Sequence, residues 1–122
     1  MPIRLLIVDD HPLVRDTLAS ALGDSALVEV VGVACDGAEA VEAALRLRPE
    51  VVLMDLVMPV LDGAEATGRL LALRPLIRVV ALTSAVGGRL EQAALDAGAS
   101  AVLYKDTGID AVLAAVVAAA AP

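Results

Sequence analysis

Residues 3–16 read IRLLIVDDHPLVRD. The apolar run Ile3–Val8, broken only by Arg4, stops at two adjacent carboxylates, Asp9 and Asp10, and His11-Pro12 comes next. A run of this kind reads as a strand. Pro12 suits the first turn of a helix, where its missing N–H does no harm. The stretch is therefore strand, acidic turn, helix. The turn raises a physical question, because two unit charges ~4 Å apart repel by about 4 kcal/mol at an effective dielectric of about 20.

The same unit recurs along the chain. Strands are predicted near 3–8, 28–34, 50–55, 77–82 and 101–104. The runs VVLM and RVVAL are continuous rather than alternating, the pattern of a parallel sheet covered on both faces. Helical spacing links Val14, Leu18 and Ala21, then Val41 and Leu45, then Ala66, Leu70 and Leu73, and finally Val112, Leu113, Val116 and Val117. Asp36 and Glu39 have the spacing of a capping box. Arg48-Pro49 and Arg74-Pro75 end two helices, since proline disfavours a helical residue before it, and Gly98 fits a helix C-cap. Five β-α units give an α/β three-layer sandwich, with residues 1–122 as one domain.

Composition narrows the function. The chain has 122 residues, 59% hydrophobic, with a mean hydropathy of +0.82, enough to bury one core. No uncharged apolar stretch is long enough to span a bilayer, and the N-terminus lacks the pattern of a signal peptide. A lone cysteine, Cys35, forms no internal disulfide and reads as a small buried hydrophobe; a reducing cytoplasm is expected. A net charge of −7 repels nucleic-acid phosphates, and Tyr104 is the single aromatic residue, so direct nucleic-acid binding by this domain is not expected.

Other chemistry-bearing residues fall at the predicted carboxyl ends of strands: Asp55 in MDLVMP, Thr83 and Ser84 in ALTSA, Lys105 in LYKD. Open α/β sheets place their sites at these ends, where strand order reverses. In a sheet ordered 2-1-3-4-5, Asp9, Asp10 and Asp55 converge. Converging carboxylates with no His or Cys cluster select a hard ion such as Mg²⁺, with Lys105 adding positive charge. Such a pocket suits phosphoryl transfer, with the carboxylate of Asp55 as nucleophile. Asp10 ahead of His11-Pro12 also has the chemistry of a helix cap, and His11 that of a surface histidine beside the site.

Asp9–Asp10, Asp55 in MDLVMP, Asp62-Gly63, Thr83 and Lys105 after DAGASAVLY together resemble the receiver domain of a bacterial two-component response regulator. VDDHPLVR, EVVGVACDGAEAVE and DAGAS…KD resemble the subfamily with a LuxR-type helix-turn-helix effector. The resemblance implies a flavodoxin-like (βα)5 fold, doubly wound. It implies that Asp55 accepts a phosphoryl group from a sensor histidine kinase, and that Asp10, Asp55 and the Val57 backbone carbonyl ligate Mg²⁺ with Asp9 acting through water. Thr83 and Lys105 would bind the phosphoryl oxygens. The domain would catalyse only its own phosphorylation and slow dephosphorylation, and would control dimerisation and a transcriptional effector domain beyond this chain. Many receivers carry an aromatic switch three residues before the lysine; here that position is Val102. The aromatic Tyr104, one before the lysine, is expected on the opposite strand face.

Three other functions compete. A flavin binder would want a glycine-rich phosphate loop after the first strand, where this chain has DDHP. A small-molecule aspartyl-phosphate phosphatase would want D-x-D at the nucleophile, where this chain has DLV, and a substrate-enclosing cap. A phosphorylation-independent interaction module would not need Asp55, Thr83 and Lys105 together.

Overall fold

The structure is a computed structural model in which residues 1–84 and 88–121 are described. Strands β1 (Ile3–Val8), β2 (Val28–Ala34), β3 (Val51–Asp55), β4 (Arg78–Thr83) and β5 (Ala101–Tyr104) alternate with helices α1 (Pro12–Gly23), α2 (Gly37–Leu47), α3 (Gly63–Leu73), α4 (Gly88–Ala97) and α5 (Ile109–Ala120). The strands form one sheet in the order β2-β1-β3-β4-β5, and every pairing is parallel. This is the doubly wound, flavodoxin-like topology expected. Among the described residues, the one shift of register falls between Leu5 and Leu6 where β1 meets β2.

The continuous apolar runs are explained by two cores, one on each face. Leu6, Val8, Val52, Met54, Val79 and Ala81 pack under α2, α3 and α4. Leu5, Ile7, Val51, Leu53, Val80 and Leu82 pack under α1 and α5. Because successive residues of a strand point to opposite faces, a strand covered on both sides needs apolar residues at every position. All of β3, Asp55 included, is buried.

The helix faces differ in part from expectation. In α1 the buried residue is Leu22, with Leu18 and Ala19 packed beside it, while Val14 is exposed. In α2 the buried face is Gly37, Ala40, Ala43 and Ala44, and Leu45 is exposed. Small residues let this helix lie close to the sheet, so larger ones point to its flanks. Leu73 and Val117 are likewise exposed, whereas Ala66, Leu70, Val112 and Val116 are buried as expected.

Helix punctuation agrees more closely. Pro12 opens α1, and its cap is His11 rather than Asp10, with no side-chain cap bond. Asp36 caps α2 by accepting the Glu39 N–H at 2.8 Å; the Glu39 carboxylate accepts instead from Cys35 Sγ. Gly98 has φ +113°, the left-handed conformation that favours glycine after a helix. Arg48 ends α2 with φ 53° and ψ 58°, also left-handed but without glycine's freedom. Among the described residues, no helix is long and apolar enough to cross a membrane.

Candidate functional site

Each acid is delivered by a strand end. β1 runs out at Val8, and the Asp9 N–H continues the ladder to Ala34 O at 3.1 Å. β3 ends in Asp55, next to β1 and to β4, and the Leu56 N–H bonds Leu82 O at 3.0 Å. The Lys105 N–H bonds Thr83 O at 3.0 Å, tying the end of β5 to that of β4. Asp9, Asp55 and Thr83 are buried, at 1–2% exposure. Asp10 is partly exposed.

Between Asp55 and α3 the chain turns tightly. Val60 takes φ 69°, an uncommon conformation for a β-branched residue. Asp62 plays a structural part: it caps α3, accepting the Glu65 N–H at 2.8 Å. Gly63 then packs on the strand end, where a Cβ would overlap the Asp55 carbonyl oxygen.

Lys105 answers much of the question raised by the paired acids. Its Nζ lies 2.9 Å from Asp9 Oδ2 and 3.3 Å from Asp55 Oδ1. His11 is the surface histidine beside the site that was expected, its side chain 63% exposed and satisfied by both acids. Its N–H bonds Asp9 Oδ1 at 2.9 Å, and its Nδ1 lies 3.1 Å from an oxygen of both Asp9 and Asp10. The sequence signal for this was only adjacency, since the contact depends on the turn.

The two buried acids are pushed apart in acidity. Burial foremost, then the charge of Asp9, raises the Asp55 carboxyl to about 6 against Lys105, which favours its charged form. Asp9 is also buried, yet the His11 N–H and Lys105 outweigh that and hold it below the usual carboxylate range. Lys105, despite partial burial, is raised by Asp9 and Asp55.

The donor set fits a hard cation. Oxygens of Asp9, Asp10 and Asp55 and a nitrogen of His11 lie within 4.8 Å of one another. Asp55 Oδ2 is buried with no hydrogen-bond partner among the described residues. A buried acceptor without a protein partner is open to a water or a cation. Val57 adjoins the cluster through its N–H, which bonds Asp55 Oδ1 at 3.2 Å.

Tyr104 corrects an expectation. Residues 102 and 104 are two apart on β5 and share a face. Val102 packs in the core under α2, α3 and α4, and the Tyr104 hydroxyl donates to Glu91 of α4 at 3.2 Å. The ring therefore stands on the same side as Val102, farther along the strand.

A doubly wound parallel sheet with three acids and a lysine at its carboxyl end defines a class, and the chain falls in it. Residues 5–117 match the response regulator receiver domain, and the chain belongs to that family, the receivers of two-component systems. Within the family it is similar to LuxR-type regulators. It is 39% identical over 107 residues to the response regulator protein VraR of Staphylococcus saprophyticus, covering 88% of this chain and 51% of that protein. The VraR of Staphylococcus aureus is 40% identical over the same length and shares. The chain thus spans about half the length of these curated relatives. The receiver domain of the putative response regulator NarL from Mycobacterium tuberculosis superposes with a TM-score of 0.91 at 35% identity, covering 98% of this chain and 96% of that one. A LuxR-family regulator from Aurantimonas sp. superposes with a TM-score of 0.92 at 29% identity, over 98% and 86% of the two chains.

Proposed function

We propose that this chain is a phosphorylation-controlled switch in which Asp55 accepts a phosphoryl group from a phosphohistidine on a sensor kinase. The observation that carries the reading is the buried Asp55 carboxylate, with one oxygen unpartnered among the described residues and the other 3.3 Å from Lys105 Nζ. In the transfer the bond from phosphorus to the histidine nitrogen breaks, its electron pair staying on the imidazole, and a bond from phosphorus to an Asp55 oxygen forms. Lys105 then swings its charge from the carboxylate to the phosphoryl oxygens, and the Thr83 hydroxyl donates to another. Asp10, Asp55 and the Val57 carbonyl would hold Mg²⁺, with Asp9 acting on it through water. The ion, when bound, neutralises charge on the transferring group. Burial of Asp55 limits water at the carboxylate before transfer.

Phosphate drawing Thr83 inward biases α4 and its surroundings, which changes contacts with a second copy of the domain and with a DNA-binding effector domain. Residues 1–122 serve as the receiver unit; DNA contact belongs to the effector, and the expected setting is the cytoplasm. The test is intact mass after incubation with acetyl phosphate and Mg²⁺. Wild type should gain one phosphate and Asp55→Asn none. Equal uptake by both, or uptake by neither, would overturn the assignment of Asp55.

A further inference from the structure

The end of the molecule opposite Asp55 carries a cavity of its own, about 460 Å³. It lies between the α2–β3 turn, the α3–β4 connection and the last turn of α5. A smaller cavity of about 290 Å³ adjoins it, sharing Arg78, Ala119 and Ala121. Together they form an open groove across the amino ends of β3, β4 and β5. Ala119, Ala120 and Ala121 line it with side chains that fill little space.

The charge here runs against the rest of the molecule. The chain has 16 acidic and 9 basic residues. Arg48, Arg74 and Arg78 line this cavity against a single acid, Glu50. Arginines near helix C-termini often serve only to satisfy carbonyls. Arg4 does so, donating to Leu47 O at 2.6 Å, and Arg78 donates to Leu76 O at 3.1 Å. Arg48 and Arg74 do not: neither side chain makes a hydrogen bond or ion pair among the described residues, and Arg74 Nε is shielded from water without a partner. Arg48 also occupies a left-handed position where glycine is the unstrained choice. Beside these cations Leu73 and Leu76 are 55% and 86% exposed.

We propose that this groove docks an acidic segment of a partner protein, one that presents an aliphatic side chain flanked by Asp or Glu. The aliphatic side chain enters the alanine-floored cavity. The carboxylates take the guanidinium groups of Arg48 and Arg74, whose planar forks suit them. The groove is open along its length, which suits a stretch of polypeptide better than an enclosed small ligand. The site is remote from Asp55, so the proposal stands whether or not Asp55 is phosphorylated.

The probe is a fluorescein-labelled helical peptide with one leucine face and one glutamate face, with a matched peptide in which every Glu is Gln. Anisotropy should give a Kd at or below about 0.1 mM for the acidic peptide and at least about tenfold weaker binding for its amide twin. Binding should weaken as salt rises. Amide shifts in NMR should be confined to residues 48–50, 73–78 and 118–121. Arg48→Gln and Arg74→Gln should each weaken binding by about fivefold or more, and Arg46→Gln, outside the groove, should not. Thermal unfolding of each variant separates loss of binding from loss of fold. No binding of the acidic peptide up to about 1 mM, equal binding of the amide twin, or shifts mapping elsewhere would overturn the proposal. Self-association of the chain that Arg74→Gln abolishes would overturn it too, by making a second copy the occupant.

Discussion

Burial and the charge of Asp9 lift the Asp55 carboxyl to about 6, above its ordinary 3.8, so between these values the native state binds the proton that the unfolded chain has released. Stability therefore falls as pH rises through that window. Asp9 acts in the opposite sense: held low in the fold, it adds stability at neutral pH that is lost on acidification. Without divalent metal, Asp55→Asn should be more stable than wild type above pH ~7, by on the order of 1 kcal/mol after the lost Lys105 contact is set against the relieved burial. The difference should shrink as pH falls towards the ordinary carboxyl value of 3.8. Urea unfolding in EDTA across that range checks it, and a wild type more stable at every pH would refute it. Mg²⁺ should stabilise wild type more than the variant. At this scale the acids and the lysine were legible in the sequence, because each stood where an apolar run stopped. The bridging ring of His11 was not, since its reach depends on the backbone of the turn.

The inner strands β1, β3 and β4 were legible because burial on both faces leaves a nearly unbroken apolar run; the edge strands β2 and β5 are only partly buried and signal less clearly. Helix faces were less so. Periodicity weighs large side chains, but α2 meets the sheet through Ala40, Ala43 and Ala44, which carry little hydrophobic signal. The α3 approach turns on Val60, whose φ of 69° suits glycine better. Val60→Gly should stabilise by about 0.5 kcal/mol, the relief of left-handed strain less the extra freedom of unfolded glycine, and chemical denaturation reads this directly. Instability of the variant would show that the exposed Val60 side chain is anchored by something else. On β5, Val102 has no ring to rotate, so the response to phosphate should depend on Thr83. Val102→Ala should cost about 1 kcal/mol through lost packing yet keep the response, whereas Thr83→Ala should accept phosphate and lose most of it. Hydrogen exchange across α4 with and without beryllofluoride distinguishes the two. Equal loss in both variants would restore position 102 as a switch.

At the scale of the molecule, a parallel sheet gives the domain two unlike ends. All strand carboxyl ends, with Asp9, Asp10 and Asp55, lie at one, and α2, α3 and α5 finish at the other, where Arg4, Arg48, Arg74 and Arg78 gather. The chain's net charge of −7 sets how strongly it is drawn to a cation, but this separation sets which way round it arrives. The domain is in effect an electric dipole free to turn in solution. A positively charged surface would rotate it before contact, bringing the acids down and leaving the arginine end facing the solvent, and salt would erase that alignment sooner than it erased the fold.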